Sequence, residues 1–572
     1  MPNVLKFFLR MVYSILPFDI VYFGLKIPLL NFEPFNDWRP YFQQNKMREF
    51  LKCYPNGKSN SIRIIIYGLR TYAVNHLAVF EKVLSDALRY NGANVQNLIC
   101  DSFLSSCDGA TVGQSDKKIC RMCSHERAYF MKIYANDFLF FSQFINNDEQ
   151  RSIREKVALL DVDNLIDYTF LGVNVGNHAL NSCKKYFKYG IFDSEDERHL
   201  KVIRHNLFQG MLMVQIANNL LVKESPTHFI TLHGGYSTWG PIAEYFHNKG
   251  VAVYRYEKSV NNMGYFYITR FREDLSDIVA RDLWEVSKNK DLSKDQRDVL
   301  RKLFQDKKCG ISEEYKQYNA AKRNYFDEKL NELLNSKDRK KFALYPHVIW
   351  DKGYLDSYDS MGSFFKDDVE WMIETIKFFI NRDDRILFIK PHPGERLSED
   401  FTSHGAEKII MDYFGSLPEN VMIIKGDYPI TSFDLMDKDC IGIAFSSTVG
   451  LEYSYFRKPV IVAANIHYKF AGAVHTIKTR EEYFSLIESP EPLYYFLENN
   501  YHIIERYAYY YYFGQQVRIP FFRDDMYFIG HPIDWNVLKN YEEFIANDKN
   551  IKHVAQSIID KKSVVSSEVA TI

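Results

Sequence analysis

The sequence has little that would mark a fibrous, disulfide-rich, membrane-spanning or nucleic-acid-binding protein. Only 27 of its 572 residues are glycine and 18 are proline, which excludes collagen-like repeats and long flexible linkers. Eight cysteines are too few for a disulfide-stabilised scaffold. No run of about 18 uncharged apolar residues occurs, so we expect no transmembrane helix. The 72 basic and 73 acidic residues balance, which disfavours a nucleic-acid carrier and an acidic disordered chain.

Aromatic residues are abundant, with 40 Tyr and 44 Phe bringing the aromatic fraction to 16% when Trp is included. A length of 572 residues leaves room for about two to four domains, so these rings can fill large cores. Rings that do not fill a core are suited to stacking on a ligand, which makes their distribution along the chain informative.

Residues 1–60 form a predicted N-terminal helical segment with an apolar face of Phe7, Phe8, Met11 and Ile15. Such a segment either packs on the body of the protein or lies in the surface of a membrane, and both interpretations are open. No small-residue cleavage site follows it, which disfavours a signal peptide. We therefore expect a cytoplasmic protein, either free or at the inner face of the membrane.

Strand-like and helix-like segments alternate in two stretches of the chain, 61–270 and 339–482. This alternation predicts an α/β fold with parallel strands and right-handed crossovers. We predict two Rossmann-like, doubly wound domains that face a cleft, in which ligands bind at the carboxyl ends of strands. The charged residues 271–338 are predicted as a helical connector, and residues 483–572 as aromatic C-terminal helices.

A first motif, KPHPGE, begins where an apolar strand ends. It places the Lys390 ammonium and the His392 imidazole at the carboxyl edge of the second domain, where both can donate hydrogen bonds to a phosphate. Pro391 and Pro393 fix the backbone φ on either side of His392 and stiffen the loop. Fixed donors of this kind stabilise charge that develops on a leaving group. The structural alternative is a strand-end turn in which the histidine bonds to the backbone.

A second motif, SSTVGLE, also follows an apolar strand. Ser446, Ser447 and Thr448 stand at the start of a predicted helix, where free backbone N–H groups and small hydroxyls bind anions. Ordinary helix capping is the structural alternative for this motif alone. The two motifs at strand ends of one domain together favour an anion site.

The segments KPHPGE and SSTVGLEYSYFRKPVIVAA together resemble the C-terminal half of bacterial capsule polysaccharide biosynthesis glycosyltransferases, which include Kdo transferases and have the GT-B fold. The resemblance covers residues 341–487, and the N-terminal half is similar only in architecture and a few positions. It implies a nucleotide-sugar donor, such as the CMP-activated sugar CMP-Kdo, and a glycan or lipid-linked glycan acceptor in surface polysaccharide synthesis. The sequence departs from the family at 453–457, YSYFR, which bears on the donor's identity.

By that resemblance, His392 and the hydroxyls of Ser446 to Thr448 hold the donor phosphate, and Glu452 contacts the donor ribose or sugar. The predicted donor-binding residues are Lys390, His392, Pro393, Glu395, Ser446, Ser447, Thr448, Gly450 and Glu452. His392 is also predicted to be catalytic, because it would stabilise the leaving phosphate.

A third loop, HGGYSTWG at 233–240, follows a predicted strand of the first domain. His233 at the strand end is a candidate general base for an acceptor hydroxyl, and Glu257 at the end of the next strand is its rival. The loop also supplies the predicted acceptor-binding residues, which are Gly234, Gly235, Tyr236 and Trp239. In the structural alternative, His233 is not catalytic and the glycines only shape a turn.

Four cysteines, Cys100, Cys107, Cys120 and Cys123, have the spacing C-x6-C-x12-C-x2-C. Four thiolates in a short segment fit a structural zinc site, or less often an iron site, and four unlinked thiols are the alternative. No convincing Asp-x-Asp motif is present, so we expect no catalytic metal.

The segment ERYAYYYYF at 505–513 is aromatic at nearly every position. It either packs across both domains or stacks on an acceptor sugar, and burial on several sides favours packing.

The sequence therefore predicts a GT-B glycosyltransferase, with no nucleic acid among its partners and with its oligomeric state open. Three other functions are compatible with these motifs: a polyol-phosphate transferase of the teichoic-acid type, a nucleotide-sugar 2-epimerase, and a noncatalytic glycan-binding scaffold.

Overall fold

The computed structural model describes residues 61–68, 75–104, 107–112, 117–121, 123–124, 127, 131, 138–259, 264–274, 279–311, 328–350, 364–396, 402, 404–425, 428–522 and 541–565. The predicted N-terminal segment with its apolar face lies outside these residues. Among the described helices, none has the length and apolarity needed to cross a membrane.

The first half of the chain alternates between strands and helices. Its strands are β1 (Arg63–Tyr67), β2 (Asn94–Ile99), β3 (Phe138–Phe140), β4 (Thr169–Phe170), β5 (Val173–Asn174), β6 (His228–Leu232), β7 (Ala252–Lys258) and β8 (Tyr265–Arg270). Its helices are α1 (Asn75–Tyr90), α2 (Asn147–Ala158), α3 (Val175–Phe187), α4 (Glu197–Glu224) and α5 (Gly240–Asn248).

A connector and the second half follow. The connector helices are α6 (Arg281–Ser287), α7 (Lys294–Lys308) and α8 (Glu328–Asn335). The strands of the second half are β9 (Lys340–Tyr345), β10 (Arg385–Ile389), β11 (Val421–Ile423), β12 (Ile441–Ala444) and β13 (Val460–Val462). Its helices are α9 (Asp368–Ile380), α10 (Ala406–Phe414), α11 (Ser432–Asp437), α12 (Val449–Tyr455), α13 (His467–Phe470) and α14 (Arg480–Glu488). The tail comprises α15 (Glu491–Tyr509), a π-helical turn (Tyr510–Gly514), β14 (Val517–Arg518), α16 (Tyr541–Asn547) and α17 (Lys549–Ile559).

Strand order shows that both halves have the same topology. The sheet of the first half runs β3-β2-β1-β6-β7-β8-β14, and that of the second runs β11-β10-β9-β12-β13. Each sheet contains five parallel strands. Numbered by their order along the chain, these five lie across the sheet in the order 3-2-1-4-5. This is the strand order of a doubly wound Rossmann-like sheet. The predicted GT-B-like fold class, with two Rossmann-like halves, is therefore confirmed.

Both faces of the second sheet are covered by hydrophobic cores, as a parallel sheet requires. Along β9, Phe342 and Leu344 belong to one core and Ala343 and Tyr345 to the other. β10 and β12 are buried along their whole lengths. Burial on both faces explains why these strands read as continuous apolar runs in the sequence.

The tail returns from the second half to the first. β14 extends the first sheet by antiparallel pairing with β8, and α16 and α17 pack on α1. The Tyr541 hydroxyl donates to Asp86 of α1 over 2.8 Å. The predicted C-terminal helices thus also include a strand. The predicted boundary at 482 falls inside α14, whose Tyr483 belongs to the core of the second half.

The aromatic run 505–513 lies where the two halves meet the connector. Its buried tyrosines are Tyr507, Tyr510, Tyr511 and Tyr512. The Tyr267 hydroxyl of β8 donates to the Tyr511 carbonyl (3.3 Å), and the ring centroids of Trp284 in α6 and Tyr507 are 5.0 Å apart. These contacts favour the packing interpretation of the run over contact with an acceptor sugar.

We expect Lys82→Met to lower the free energy of unfolding by about 3–5 kcal/mol, because it removes the cation that is paired with the buried Asp86 carboxylate. The Lys82 Nζ lies 2.7 Å from the Asp86 Oδ2, and both side chains are 0% exposed. Urea unfolding followed by circular dichroism and tryptophan fluorescence measures the change.

Lys302→Met is the matched control. Lys302 and Asp306 have the same spacing and the same 2.7 Å separation, but the Lys302 side chain is 75% exposed. We expect a loss below about 1 kcal/mol for this exposed pair. Equal losses in the two variants would contradict a stabilising role for the buried pair.

Candidate functional site

The KPHPGE motif lies at the carboxyl edge of the second sheet. The Lys390 N–H donates to the Leu344 carbonyl (2.8 Å), which continues the β10–β9 pairing, and the Lys390 side chain is buried. The His392 Nδ1 accepts from the Gly394 N–H (3.2 Å), so the loop itself fixes the ring. Pro393 begins a short 3₁₀ turn, Pro393–Arg396.

His392 is neutral at physiological pH. Burial, together with the charges of His347 and Lys390, lowers the pKa of His392 to about 3. Since Nδ1 accepts a hydrogen bond, the ring proton lies on Nε2. His392 therefore offers an uncharged N–H donor over the whole range of pH near neutrality.

The SSTVGLE motif lies at the same edge, because β10 and β12 both pair with β9. Within the described residues, the buried Ser446 Oγ has no hydrogen-bond partner. A buried hydroxyl left without a partner costs about 1–3 kcal/mol, which a ligand could recover. The Ser447 Oγ accepts from the Val449 N–H (3.3 Å), and Thr448 is the N-cap residue of α12 without a side-chain capping bond.

Gly450 and Glu452 make contacts inside the protein. A Cβ on Gly450 would lie 2.5 Å from the Tyr468 hydroxyl, so glycine is needed for α12 to pack there. Glu452 is 0% exposed, and its Oε1 accepts from the Lys307 Nζ of the connector (3.2 Å). The Lys307 Nζ also donates to the Tyr512 hydroxyl (3.3 Å). Glu452 thus joins the second half, the connector and the tail, and its predicted contact with the donor ribose or sugar has no support from its position.

Glu395 also faces the protein. Its Oε1 and Oε2 lie 3.4 Å and 3.2 Å from the Ala406 N–H at the start of α10. Burial raises the pKa of Glu395 to about 7, although the Ala406 N–H opposes this effect. The carboxyl group therefore caps α10, and its predicted role in donor binding has no support from its position.

The loop 233–240 follows β6, which is the fourth parallel strand of the first sheet as β12 is of the second. The two loops are therefore topological equivalents. The His233 Nδ1 accepts from the Gly235 N–H (3.4 Å), as His392 accepts from Gly394, and the Arg255 guanidinium donates to the His233 carbonyl (3.2 Å). His233 carries its proton on Nε2 and is placed to donate rather than to act as a base.

Glu257 lies beside His233 at this edge. Leu232 of β6 pairs with Tyr256 of β7, and His233 and Glu257 are the residues that directly follow these two. Burial raises the pKa of Glu257 to about 7, although the Lys258 N–H and the charges of Lys258 and Arg255 oppose it. A carboxyl group with this pKa can accept a proton near neutral pH. Of the two predicted bases, Glu257 has the fitting acid–base chemistry.

Tyr236 and Trp239, predicted to bind the acceptor, lie in the hydrophobic core with 3% and 4% exposure. Gly234 adopts a φ of +94°, which favours glycine, and the Cβ of another residue would lie 3.2 Å from the Arg255 side chain. The loop is thus shaped by packing, and neither aromatic ring presents a face to a glycan.

Side chains from distant segments fix this loop. Asp108 accepts from the Thr238 N–H (3.2 Å), from the Thr238 hydroxyl and from the Ser182 hydroxyl (2.9 Å). The His178 Nδ1 lies 3.3 Å from the Gly235 carbonyl, and its Nε2 lies 3.0 Å from the Glu244 Oε2. The sequence gives no local signal for Asp108 or His178, because their loop partners are 130 and 57 residues away. His347, whose charge helps to lower the pKa of His392, could have been predicted from the sequence. It follows strand β9 by two residues, as His392 follows β10 by three.

The four cysteines belong to the segment that contains Asp108. The structure has no disulfide at Cys100, Cys107, Cys120 or Cys123. Over the described ranges, no group of three or more His, Cys, Asp or Glu side chains is arranged to hold a metal ion. The zinc or iron site stays a prediction.

The two halves also contact each other directly, through residues outside the connector. The Tyr189 backbone forms a parallel bridge with His404, and their ring centroids are 5.3 Å apart. The Lys188 Nζ lies 5.3 Å from the centroid of the Trp350 ring.

Comparison with family models and with curated proteins gave no match. Similar solved structures include a KpsC beta-Kdo 2,4-transferase of Thermosulfurimonas dismutans, 14% identical over 46% of this chain and 76% of that chain, with a TM-score of 0.29. A putative UDP-N-acetylglucosamine 2-epimerase of Listeria monocytogenes is 11% identical over 78% and 90% of the two chains, with a TM-score of 0.23. The glycosyltransferase SnogD of Streptomyces nogalater is 9% identical over 78% and 98%, with a TM-score of 0.21. These low TM-scores carry no argument, so the fold assignment rests on the strand order.

We expect Glu395→Gln to remove a pH dependence of stability. Because folding raises the pKa of Glu395 from its ordinary value of 4.5 to about 7, its contribution is full below pH 4.5 and is lost as pH rises through about 7. Relative to the variant, the wild type should lose up to about 3 kcal/mol across this window. Urea unfolding at intervals from pH 4.5 to 8 measures the difference.

Glu419→Gln, at an exposed position just after α10, is the control and should keep the wild-type pH dependence. A constant difference between wild type and Glu395→Gln at every pH would contradict the raised pKa.

Proposed function

We propose that the protein is a GT-B glycosyltransferase that moves a sugar from a nucleotide-sugar donor to an acceptor glycan. One observation carries the proposal: a neutral Nε2–H donor on His392 and a buried hydroxyl without a partner on Ser446 lie at one edge of the second sheet. Both groups can donate to a phosphate without a change of protonation. Lys390 adds a positive charge beside them.

In the proposed reaction, Glu257 takes the proton of the acceptor hydroxyl, and the acceptor oxygen attacks the anomeric carbon of the donor. The bond between the anomeric carbon and the phosphate oxygen breaks, and the nucleotide leaves with the bonding electron pair. His392 and Ser446 donate to the phosphate as its negative charge grows. His233 donates from Nε2 to the acceptor, which orients the hydroxyl toward Glu257.

The donor and the pathway are finer parts of the same proposal. We propose a CMP-activated donor such as CMP-Kdo on the basis of the sequence resemblance alone. The same resemblance is the basis for the proposed acceptor, a free or lipid-linked glycan of capsule or another surface polysaccharide. Fixed hydrogen-bond donors take the role that a metal ion has in other glycosyltransferases. Contact with a membrane stays a prediction, because the segment that would make it lies outside the described residues.

The test is a panel of donors with the purified full chain. CMP-, UDP- and GDP-sugars and CDP-glycerol are each incubated with and without acceptor glycans, and products are followed by mass spectrometry. We expect sugar transfer from one class of donor, dependent on the acceptor. Release of CMP from CDP-glycerol, with transfer of the polyol phosphate, would instead show a polyol-phosphate transferase. Conversion of a nucleotide sugar in the absence of an acceptor would show a 2-epimerase. Donor binding with no turnover on any acceptor would show a scaffold.

Within this panel, we expect Ser446→Ala to weaken binding of the nucleotide by about tenfold, the loss of one hydrogen bond to a charged group. Its thermal midpoint without ligand should equal or exceed the wild-type value, because the substitution removes a buried hydroxyl that has no partner in the described protein. Titration calorimetry and thermal denaturation measure the two quantities.

Ser454→Ala is the matched control, since the Ser454 hydroxyl lies on α12, the helix that follows the Ser446 loop, but donates to the Gly450 carbonyl (3.1 Å). It should leave nucleotide affinity unchanged. Equal affinities of both variants and the wild type would remove Ser446 from the phosphate site.

We expect Glu257→Gln to lower kcat by about 10²–10⁴-fold with little change in donor affinity, as for loss of a general base. Because the base must be deprotonated, wild-type kcat/KM should rise with pH through about 7, the pKa of Glu257. The variant should lack this limb of the profile. A Glu257→Gln enzyme with the wild-type pH profile would exclude this residue and return His233 to consideration.

A further inference from the structure

A largely buried lysine lies at the carboxyl edge of the second sheet, and no ion-pair partner for it occurs among the described residues. Lys469 belongs to α13, which follows β13, and the residue is 6% exposed. Its Nζ lies 6.0 Å from the centroid of the Phe364 ring. Within the described part of the chain, no carboxylate or hydrogen-bond acceptor contacts this ammonium.

The surrounding backbone places Lys469 close to the second motif. The Ala464 N–H donates to the Phe445 carbonyl (3.1 Å), so the chain leaving β13 runs beside the chain leaving β12. The Tyr468 hydroxyl then donates to the Ser447 carbonyl (2.6 Å). Lys469 therefore directly follows Tyr468 in the chain, and Tyr468 contacts the proposed phosphate-binding loop at Ser447.

Keeping an ammonium at this position is unfavourable for the folded protein. Burial lowers the pKa of Lys469 to about 8, although the charge of Glu482 opposes the effect. The Glu482 carboxylate is occupied at the start of α14, where it accepts from the Lys478 N–H (2.7 Å). An unpaired buried charge reduces stability, and such groups persist where they serve binding.

We propose that Lys469 binds an anionic group of the donor that is separate from the phosphate held by His392 and Ser446. The inference rests on the proposed function and specifies its donor. The shared chemistry is a second oxyanion, which is either the second phosphate of a nucleoside diphosphate or the carboxylate of an acidic sugar on a nucleoside monophosphate. Lys469 would then determine which activated sugars the enzyme accepts.

Titration calorimetry with the full chain tests the inference. The probes are UMP and UDP, which differ by one phosphate, and CMP and CMP-N-acetylneuraminate, which differ by an acidic sugar. In the wild type, we expect either UDP to bind about tenfold more tightly than UMP, or CMP-N-acetylneuraminate to bind about tenfold more tightly than CMP. A difference of this size corresponds to one added charge-assisted contact. Lys469→Met should abolish this advantage and leave the affinities for UMP and CMP within about twofold of the wild type.

Two controls separate binding from folding. Lys469→Arg, which keeps the charge, should retain most of the advantage, and Lys408→Met, at a side chain that is 57% exposed on α10, should retain all of it. The thermal midpoint of Lys469→Met should equal or exceed that of the wild type, because the substitution removes an unpaired buried charge.

Each outcome decides the matter. Loss of the UDP advantage assigns the second oxyanion to a phosphate, and loss of the CMP-N-acetylneuraminate advantage assigns it to a sugar carboxylate. An unchanged ratio in Lys469→Met, equal weakening of all four probes, or no preference in the wild type overturns the inference while nucleotide binding stands. If the wild type binds none of the four, the inference is overturned, and the donor panel with its GDP-sugars decides the proposed function separately.

Discussion

Parallel pairing of β9 with both β10 and β12 is the constraint on which the candidate site depends. The register that sets Ile389 beside Leu344 and Ala444 beside Tyr345 brings two motifs that are far apart in the sequence to one edge of one sheet. Side chains on both faces of β9 are locked in separate cores, so this register cannot slip without exposing apolar residues on both sides. The positions of His392 and of the Ser446 loop follow from that packing.

The candidate site combines neutral hydrogen-bond donors with two largely buried lysines, Lys390 and Lys469, in place of a basic surface. His392 is uncharged, Ser446 is a hydroxyl, and the buried Glu452 and Lys307 neutralise each other beneath α12. This agrees with the near-zero net charge of the chain. A few fixed donors in a partly buried setting act more strongly on a phosphate than many screened surface charges would. The aromatic excess has a related structural use, since the tail tyrosines fill the junction of the two halves and the connector.

The fold class and the two strand-end motifs could be predicted because their signals are local: apolar runs, helical periodicity, and polar residues directly after strands. Contacts between distant segments could not be predicted. Asp108 is an example, because it bonds to Thr238, which is 130 residues away. The chemistry of a side chain also does not show which way it faces. Tyr236 and Trp239 have rings equally suited to stacking and to packing, and Glu395 and Glu452 have carboxylates equally suited to a ligand and to a protein partner. In all four cases the structure shows contacts within the protein.

The return of the tail to the first sheet has a consequence for the order in which the protein is made. The first half is synthesised early, but β14, which extends its sheet, and α16 and α17, which cover α1, come after the whole second half. During translation the edge of β8 and the packing face of α1 therefore stay without their native neighbours while more than 200 residues are added. A nascent chain of this kind needs protection from strand-edge association until its last segment leaves the ribosome.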